Sequence, residues 1–111
     1  MLEVELYKDS KGKVPFVEWL EHLKDIQARA KVKIRVDRLR LGNFGDCRSV
    51  GEGVSELKID FGPGYRVYFG RVGTKIVVLL LGGDKKTQLK DIHKAKEFWQ
   101  HYKGINHVQK K

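Results

Sequence analysis

The sequence predicts an α+β domain: a mainly antiparallel sheet with two N-terminal helices and a C-terminal helix. Three observations predict it. Hydrophobic residues alternate with period two in one segment near the start and in several after residue 53. Helical spacing governs residues 15–23, 26–41 and 87–102. Helical and strand segments are grouped rather than interleaved, which disfavours a parallel βαβ sheet.

Leu2, Val4 and Leu6 alternate with Glu3, Glu5 and Tyr7, the pattern of a half-buried strand. Residues 8–13 hold Asp-Ser and a glycine and read as a turn. Pro15 suits a helix start, since it has no N–H to lose there. Phe16, Trp19, Leu20 and Leu23 then fall on one helical face. Residues 26–41 fit two templates. Residues 28–36 alternate as a strand would. On a helical wheel they give two apolar stripes, Ile26/Ala30/Ile34/Leu41 and Ala28/Val32/Val36/Leu39, with basic residues between. Sixteen residues without Gly or Pro exceed a normal strand, so length decides for a helix. Gly42-Asn43 ends it. A helix apolar on two sides is expected between a sheet and another helix.

Residues 54–61 and 65–72 alternate around Gly62-Pro63-Gly64 and predict a hairpin. The expected register pairs Ile59 with Val67 and Asp60 with Arg66 across a three-residue loop. Gly73 marks a further hairpin into residues 75–81, apolar on both faces and expected inside the sheet. Gly82-Gly83 breaks that strand, and Asp84 or Thr87 can cap the helix after it. Ile92, Ala95, Phe98, Trp99 and Tyr102 form the buried stripe of that helix. Residues 1–103 are expected to be one domain and 104–111 a flexible basic tail.

The chain has 111 residues, enough for one core. Its 23 Lys and Arg against 14 Asp and Glu give a net charge of +9. Residues 24–48 and 84–111 each carry net +5. If the fold joins these blocks, they form a surface suited to phosphate backbones. One cysteine, Cys47, excludes an internal disulfide framework, and no Cys/His spacing suggests zinc. No apolar run is long enough to span a membrane, and MLEVELYKD lacks a signal-peptide layout. A cytoplasmic, membrane-free protein is expected, with no metal or cofactor. The four histidines are scattered and read as surface residues.

The chemistry concentrates on one strand face. Glu56, Lys58, Arg66 and Tyr68 share it, and the loop 82–88 leaves a strand expected nearby. Arginine and lysine fixed on strands can grip a phosphate and stabilise charge developing on it. A carboxylate beside them can remove a proton. RNA brings its own nucleophile, the 2′-hydroxyl. The plainer alternative is an ordinary Asp60–Arg66 ion pair on a solvated face. Residues 82–87 are Gly-rich but do not form a phosphate-binding P-loop motif.

Five stretches carry a resemblance: Val14-Pro-Phe-Val-Glu-Trp-Leu20, Arg38-Leu-x-Leu-Gly-Asn-Phe-Gly45, Val54-x-Glu-Leu-Lys58, Gly64-Tyr-Arg-Val-Tyr-Phe69 and Leu80-Leu-Gly-Gly-Asp-Lys-Lys-Thr-Gln88. Together they resemble the RelE/ParE superfamily of toxins, in particular the HigB-like addiction module killer branch. The likeness runs from about Val4 to Tyr102. It implies a RelE-like fold and a type II toxin, an endoribonuclease that cuts ribosome-bound mRNA without metal and blocks translation. It implies a HigA-like helix-turn-helix antitoxin as partner, with operator DNA reached only through that antitoxin. Arg66 matches the family's phosphate-contacting arginine, and Lys58 lies close to a family lysine. Glu56 is the candidate base. Lys85 and Lys86 match the branch motif as RNA contacts; Tyr68, Arg38 and Arg40 complete the candidate RNA-binding set. Relatives with a catalytic Tyr or His near the C-terminus have no clear counterpart here, and neither His101 nor Tyr102 is assigned that role. The ParE side of the superfamily implies a DNA gyrase inhibitor instead. A non-enzymatic nucleic-acid-binding module is the third alternative.

Overall fold

A computed structural model describes residues 1–106. The elements run β1 (Glu3–Leu6), α1 (Pro15–His22), α2 (Ile26–Arg40), β2 (Cys47–Gly51), β3 (Val54–Ile59), β4 (Tyr65–Val72), β5 (Ile76–Gly83) and α3 (Gln88–Asn106). The class is α+β. The five strands form one mixed sheet in the order β1-β5-β4-β3-β2. β1 runs parallel to β5, and the other three pairs are antiparallel.

Each sheet face has its own core. Leu57, Ile59, Val67, Phe69, Val77 and Leu79 pack against Phe16 of α1 and Ala28, Val32, Val36 and Leu39 of α2. On the opposite face Val54, Tyr68, Val78 and Leu80 pack against Ala95 and Trp99 of α3. Alternation along the strands sends successive side chains to these two layers.

Both ends of α2 arise from local chemistry. Asp25 accepts hydrogen bonds from the Gln27 and Ala28 amides at 2.9 and 3.3 Å. At the other end Gly42 N–H reaches Leu39 O and Asn43 N–H reaches Arg38 O, both at 2.9 Å. Gly42 takes the left-handed conformation (φ 81°) that this closure needs. The expectation of burial on two sides fails. Only the Ala28/Val32/Val36/Leu39 stripe is buried; Ile26, Ile34 and Leu41 stay exposed because no helix of the described residues covers them.

The sheet departs from the sequence-based expectation in two places. Strand β2 was not expected, because Cys-Arg-Ser-Val-Gly lacks period-two hydrophobicity. The β3–β4 register is Ile59↔Tyr65, Lys58↔Arg66, Leu57↔Val67 and Glu56↔Tyr68. It is offset by two residues from the expected one, so the loop holds residues 60–64 and Asp60 does not pair with Arg66. A two-residue offset keeps every side chain on its face, so hydrophobic pattern cannot distinguish the registers.

A bulge sits where Tyr68 faces Leu81 and Phe69 faces Leu79, leaving Leu80 as an extra residue on β5. The extra residue reverses the facing of the rest of the strand. Gly82 therefore lies under the Trp19 indole and Gly83 against Asp91 of α3, where a Cβ would overlap either group. Helix α3 extends to Asn106, so residues 104–106 continue the helix. The remainder of the expected tail, 107–111, lies outside the described residues.

Candidate functional site

The α3 side of the sheet carries two cross-strand rows. Arg48, Glu56 and Tyr68 stand side by side on β2, β3 and β4. Lys58, Arg66 and Gly83 form the next row on β3, β4 and β5. Gln88 opens α3 above them. Together Asp46, Arg48, Glu56, Lys58, Arg66 and Gln88 line a cavity of about 270 Å³.

Glu56 is the hub, buried at 3% exposure. One carboxylate oxygen accepts Arg48 Nε at 2.9 Å. The other accepts Gln88 Nε2 at 2.8 Å and the Tyr68 hydroxyl at 3.1 Å. Burial by itself would raise the Glu56 pKa. The hydrogen bonds from Arg48, Gln88 and Tyr68, with the Arg48 charge, outweigh it and hold the carboxyl below its ordinary range. Both oxygens are engaged and the group stays ionised. This suits a group that positions Arg48 and Arg66 better than one that takes up a proton.

Arg66 is 6% exposed. Its Nη1 donates to Gly64 O at 2.7 Å, which pins the side chain to the β3–β4 loop. Its Nε lies 3.7 Å from Glu56, an ion pair without a hydrogen bond. That Nε is buried and has no hydrogen-bond partner among the described residues. Its nearest carboxylate oxygen is that of Glu56, so charge attraction and the Gly64 hydrogen bond together hold the guanidinium at the cavity wall.

The expected site residues are only partly assembled. Glu56, Lys58 and Arg66 come together, with Lys58 exposed at the rim. Tyr68 is a correction: it is fully buried, its hydroxyl is spent on Glu56, and no base can stack on it. Burial first, and then the Glu56 charge, raise its pKa. Lys85 and Lys86 are exposed on the loop after β5, and the Lys85 Cβ borders Gly64. Arg38 and Arg40 are a second correction. They sit on α2, across the sheet from Arg66; Arg40 lies 3.8 Å from Asp37, and Arg38 lines a separate cavity with Ile59 and Asp60. The α2 cations of the first block therefore stand apart from Arg66, whereas Arg48 of the same block reaches the cavity. Lys31 and Lys85, one from each block, both border the loop 60–64, where Lys31 sits 5.0 Å from the Phe61 ring and the Lys85 Cβ lies near Gly64.

Two site residues escaped the sequence-based expectation. Arg48 lies on the unexpected strand β2. Gln88 closes the Gly-Gly-Asp-Lys-Lys-Thr-Gln stretch, which is its signal in the sequence. Elsewhere, the Tyr7 hydroxyl meets His101 Nδ1 at 2.6 Å and Tyr102 donates to Glu5 at 2.8 Å, so both tie α3 to the β1 side. They lie roughly 20 Å along α3 from Gln88 at 1.5 Å per residue. Burial raises the Cys47 thiol pKa, which fits an inert residue. His107 lies outside the described residues. Among those described, no three His, Cys, Asp or Glu side chains group closely enough to hold a metal ion. No described helix is long and apolar enough to cross a membrane.

No family model matches the chain. An uncharacterized protein of Haemophilus influenzae (strain ATCC 51907 / DSM 11121 / KW20 / Rd) is 51% identical over 86 residues, which cover 78% of this chain and 87% of that protein. The chain belongs to the same family as that protein.

Proposed function

We propose that this protein is a cytoplasmic toxin of a type II toxin–antitoxin module, RelE-like in fold and HigB-like in branch. In this reading it is an endoribonuclease that cuts mRNA on the ribosome and is held in check by a helix-turn-helix antitoxin. The observation that carries the reading is the buried Arg66, fixed by Gly64 and Glu56 at the wall of a cavity it shares with Arg48 and Lys58.

The chemistry needs a group that receives charge. The RNA 2′-hydroxyl gives its proton to water, its oxygen attacks the adjacent phosphorus, and the bond to the 5′-oxygen breaks as that oxygen takes a proton from water. A 2′,3′-cyclic phosphate and a 5′-hydroxyl result. Charge accumulates on the non-bridging phosphate oxygens during the attack. Donors already fixed before the reaction stabilise that charge best. Arg66 is fixed by Gly64 and Glu56, and Arg48 by Glu56. Lys58 adds an exposed cation for the neighbouring phosphate. Glu56 serves as the positioning residue.

The test adds chelator-treated protein to translating ribosomes and maps mRNA 5′ ends. Cleavage that requires ribosomes and falls at least about 100-fold in Arg66→Ala, with circular dichroism unchanged, is the expected result. Intact mRNA and undiminished translation with the native protein would overturn it, and inhibition of gyrase supercoiling would then favour the ParE-like alternative.

A further inference from the structure

Helix α2 is apolar on two sides, and the sheet covers only one. The uncovered side carries Ile26 at 72% exposure, Ile34 at 50% and Leu41 at 69%, with exposed Ala30 between the first two. At 1.5 Å per residue this stripe is about 22 Å long and lies nearly opposite the buried one. Three large aliphatic side chains aligned on one helix face differ from apolar residues scattered singly.

The borders of the stripe say what fits it. Lys31 and Arg38 flank one side; Arg29, Lys33 and Arg40 flank the other. Asp37 lies within the stripe and is taken by Arg40 at 3.8 Å. Arg35 is turned to the sheet, donating to Lys58 O at 2.8 Å. Beside Ile34 a cavity of about 310 Å³ opens, lined by Lys31, Arg35, Arg38 and Ile59. A second copy of this chain would place like charges opposite one another, and their repulsion disfavours that pairing. A phosphate backbone would pair with the cations and leave the aliphatic stripe in water. A bilayer surface favours aromatic and leucine-rich faces and would have to take up Asp37.

We propose that the outer face of α2 is a docking site for an amphipathic helix of a partner protein, one with aliphatic ridges flanked by Glu or Asp. Ridges at i and i+4 spacing on α2 suit a second helix packed into their grooves. The carboxylates would meet the five flanking cations. The site is separate from the Arg66 cavity and does not depend on what that cavity does.

The test is a nuclear magnetic resonance titration of the full chain with a synthetic 18-residue helical peptide, leucines on one face and glutamates along both borders. Saturable shifts centred on Ala30, Ile34 and Leu41 are expected, with affinity at least tenfold weaker in Ile34→Glu, in Leu41→Glu and in Lys33→Glu/Arg38→Glu. The same peptide with lysines for glutamates should not bind. Three results would each overturn the proposal. One is no saturable binding up to ~1 mM peptide, a threshold of about −4 kcal/mol. Another is shifts centred on Arg48, Lys58 and Arg66, the mark of nonspecific charge attraction. The third is a different occupant: self-association, or binding to anionic phosphatidylserine vesicles, that Ile34→Glu abolishes. All these variants alter exposed side chains, so loss of fold does not cloud the reading.

Discussion

Replacing Glu56 by glutamine keeps the shape of the site and removes its central charge. In the native protein the carboxylate accepts three hydrogen bonds and sits 3.7 Å from the buried Arg66. Removing one member of a buried ion pair costs about 3–5 kcal/mol, because the remaining charge loses its partner. The amide still offers one acceptor, and Arg48 is largely exposed and returns to water. We therefore expect the lower end, a loss of about 3 kcal/mol. The readout is urea unfolding monitored by tryptophan fluorescence, since Trp99 is buried and reports the loss of α3 packing. With a urea dependence of about 1.5 kcal/mol per molar, the midpoint should fall by about 2 M. The effect also has a pH signature. The Glu56 carboxyl titrates lower in the folded chain than in the unfolded one. Its contribution is complete above the unfolded value near ~4.3 and is lost as pH falls through the folded value. The gap between native and variant should therefore close in acid. Tyr68→Phe, which removes one of the same bonds, should cost about 1 kcal/mol alone and less in the Glu56→Gln background. A midpoint shift under about 0.5 M, or a gap constant down to about pH 3, would refute the assignment of Glu56 as an ionised hub.

Two further variants probe how α3 sits on the sheet. In Gly70→Ala the new methyl would meet the Trp99 indole at 2.5–2.6 Å, and the overpacking should cost about 1–3 kcal/mol. Much of that loss should return with Trp99→Leu in the same chain; a neutral Gly70→Ala would mean that the helix shifts freely over β4. Asp91 is buried beside Gly83, and desolvation raises its pKa despite a hydrogen bond from Thr87. A raised carboxyl destabilises the fold progressively as pH rises from the unfolded value through the folded one. Asp91→Asn should therefore be more stable than the native protein at pH 7 and equal to it near pH ~3. Thermal unfolding at the two pH values checks this, and a less stable variant at pH 7 would show that the ionised group is needed.

Gly42-Asn43 predicted the end of α2, and both residues close that helix through their backbone N–H groups. Helix-compatible length settled residues 26–41 against their own strand-like alternation. Glu56, Lys58, Arg66 and Tyr68 shared a face in the sequence and share one in the fold, because strand parity survives a two-residue error in register. What failed had no local signal. Strand β2 carries one arginine, one serine and two half-buried apolar side chains, and it is a strand because β3 offers an open edge. Arg48 could not be placed until that edge was known.

Local sequence dictated every element type except β2, the two faces of the strands short of the β5 bulge, and Arg66 and Lys58 as residues able to grip an anion, since these arise from periodicities within a few residues. Tertiary packing settled which of them meet. Helices α2 and α3 occupy opposite faces of the sheet, so Arg38 and Arg40 are separated from Arg66 although the charge blocks look alike. The β5 bulge turns Gly83 toward α3, and α3 in turn lowers Gln88 onto Glu56 and buries Tyr68. Burial of Glu56, and with it the orphaned nitrogen of Arg66, depends on contacts between residues up to 32 positions apart. No pattern within a single segment encodes such contacts, because they form only when the sheet and its covering helix pack together.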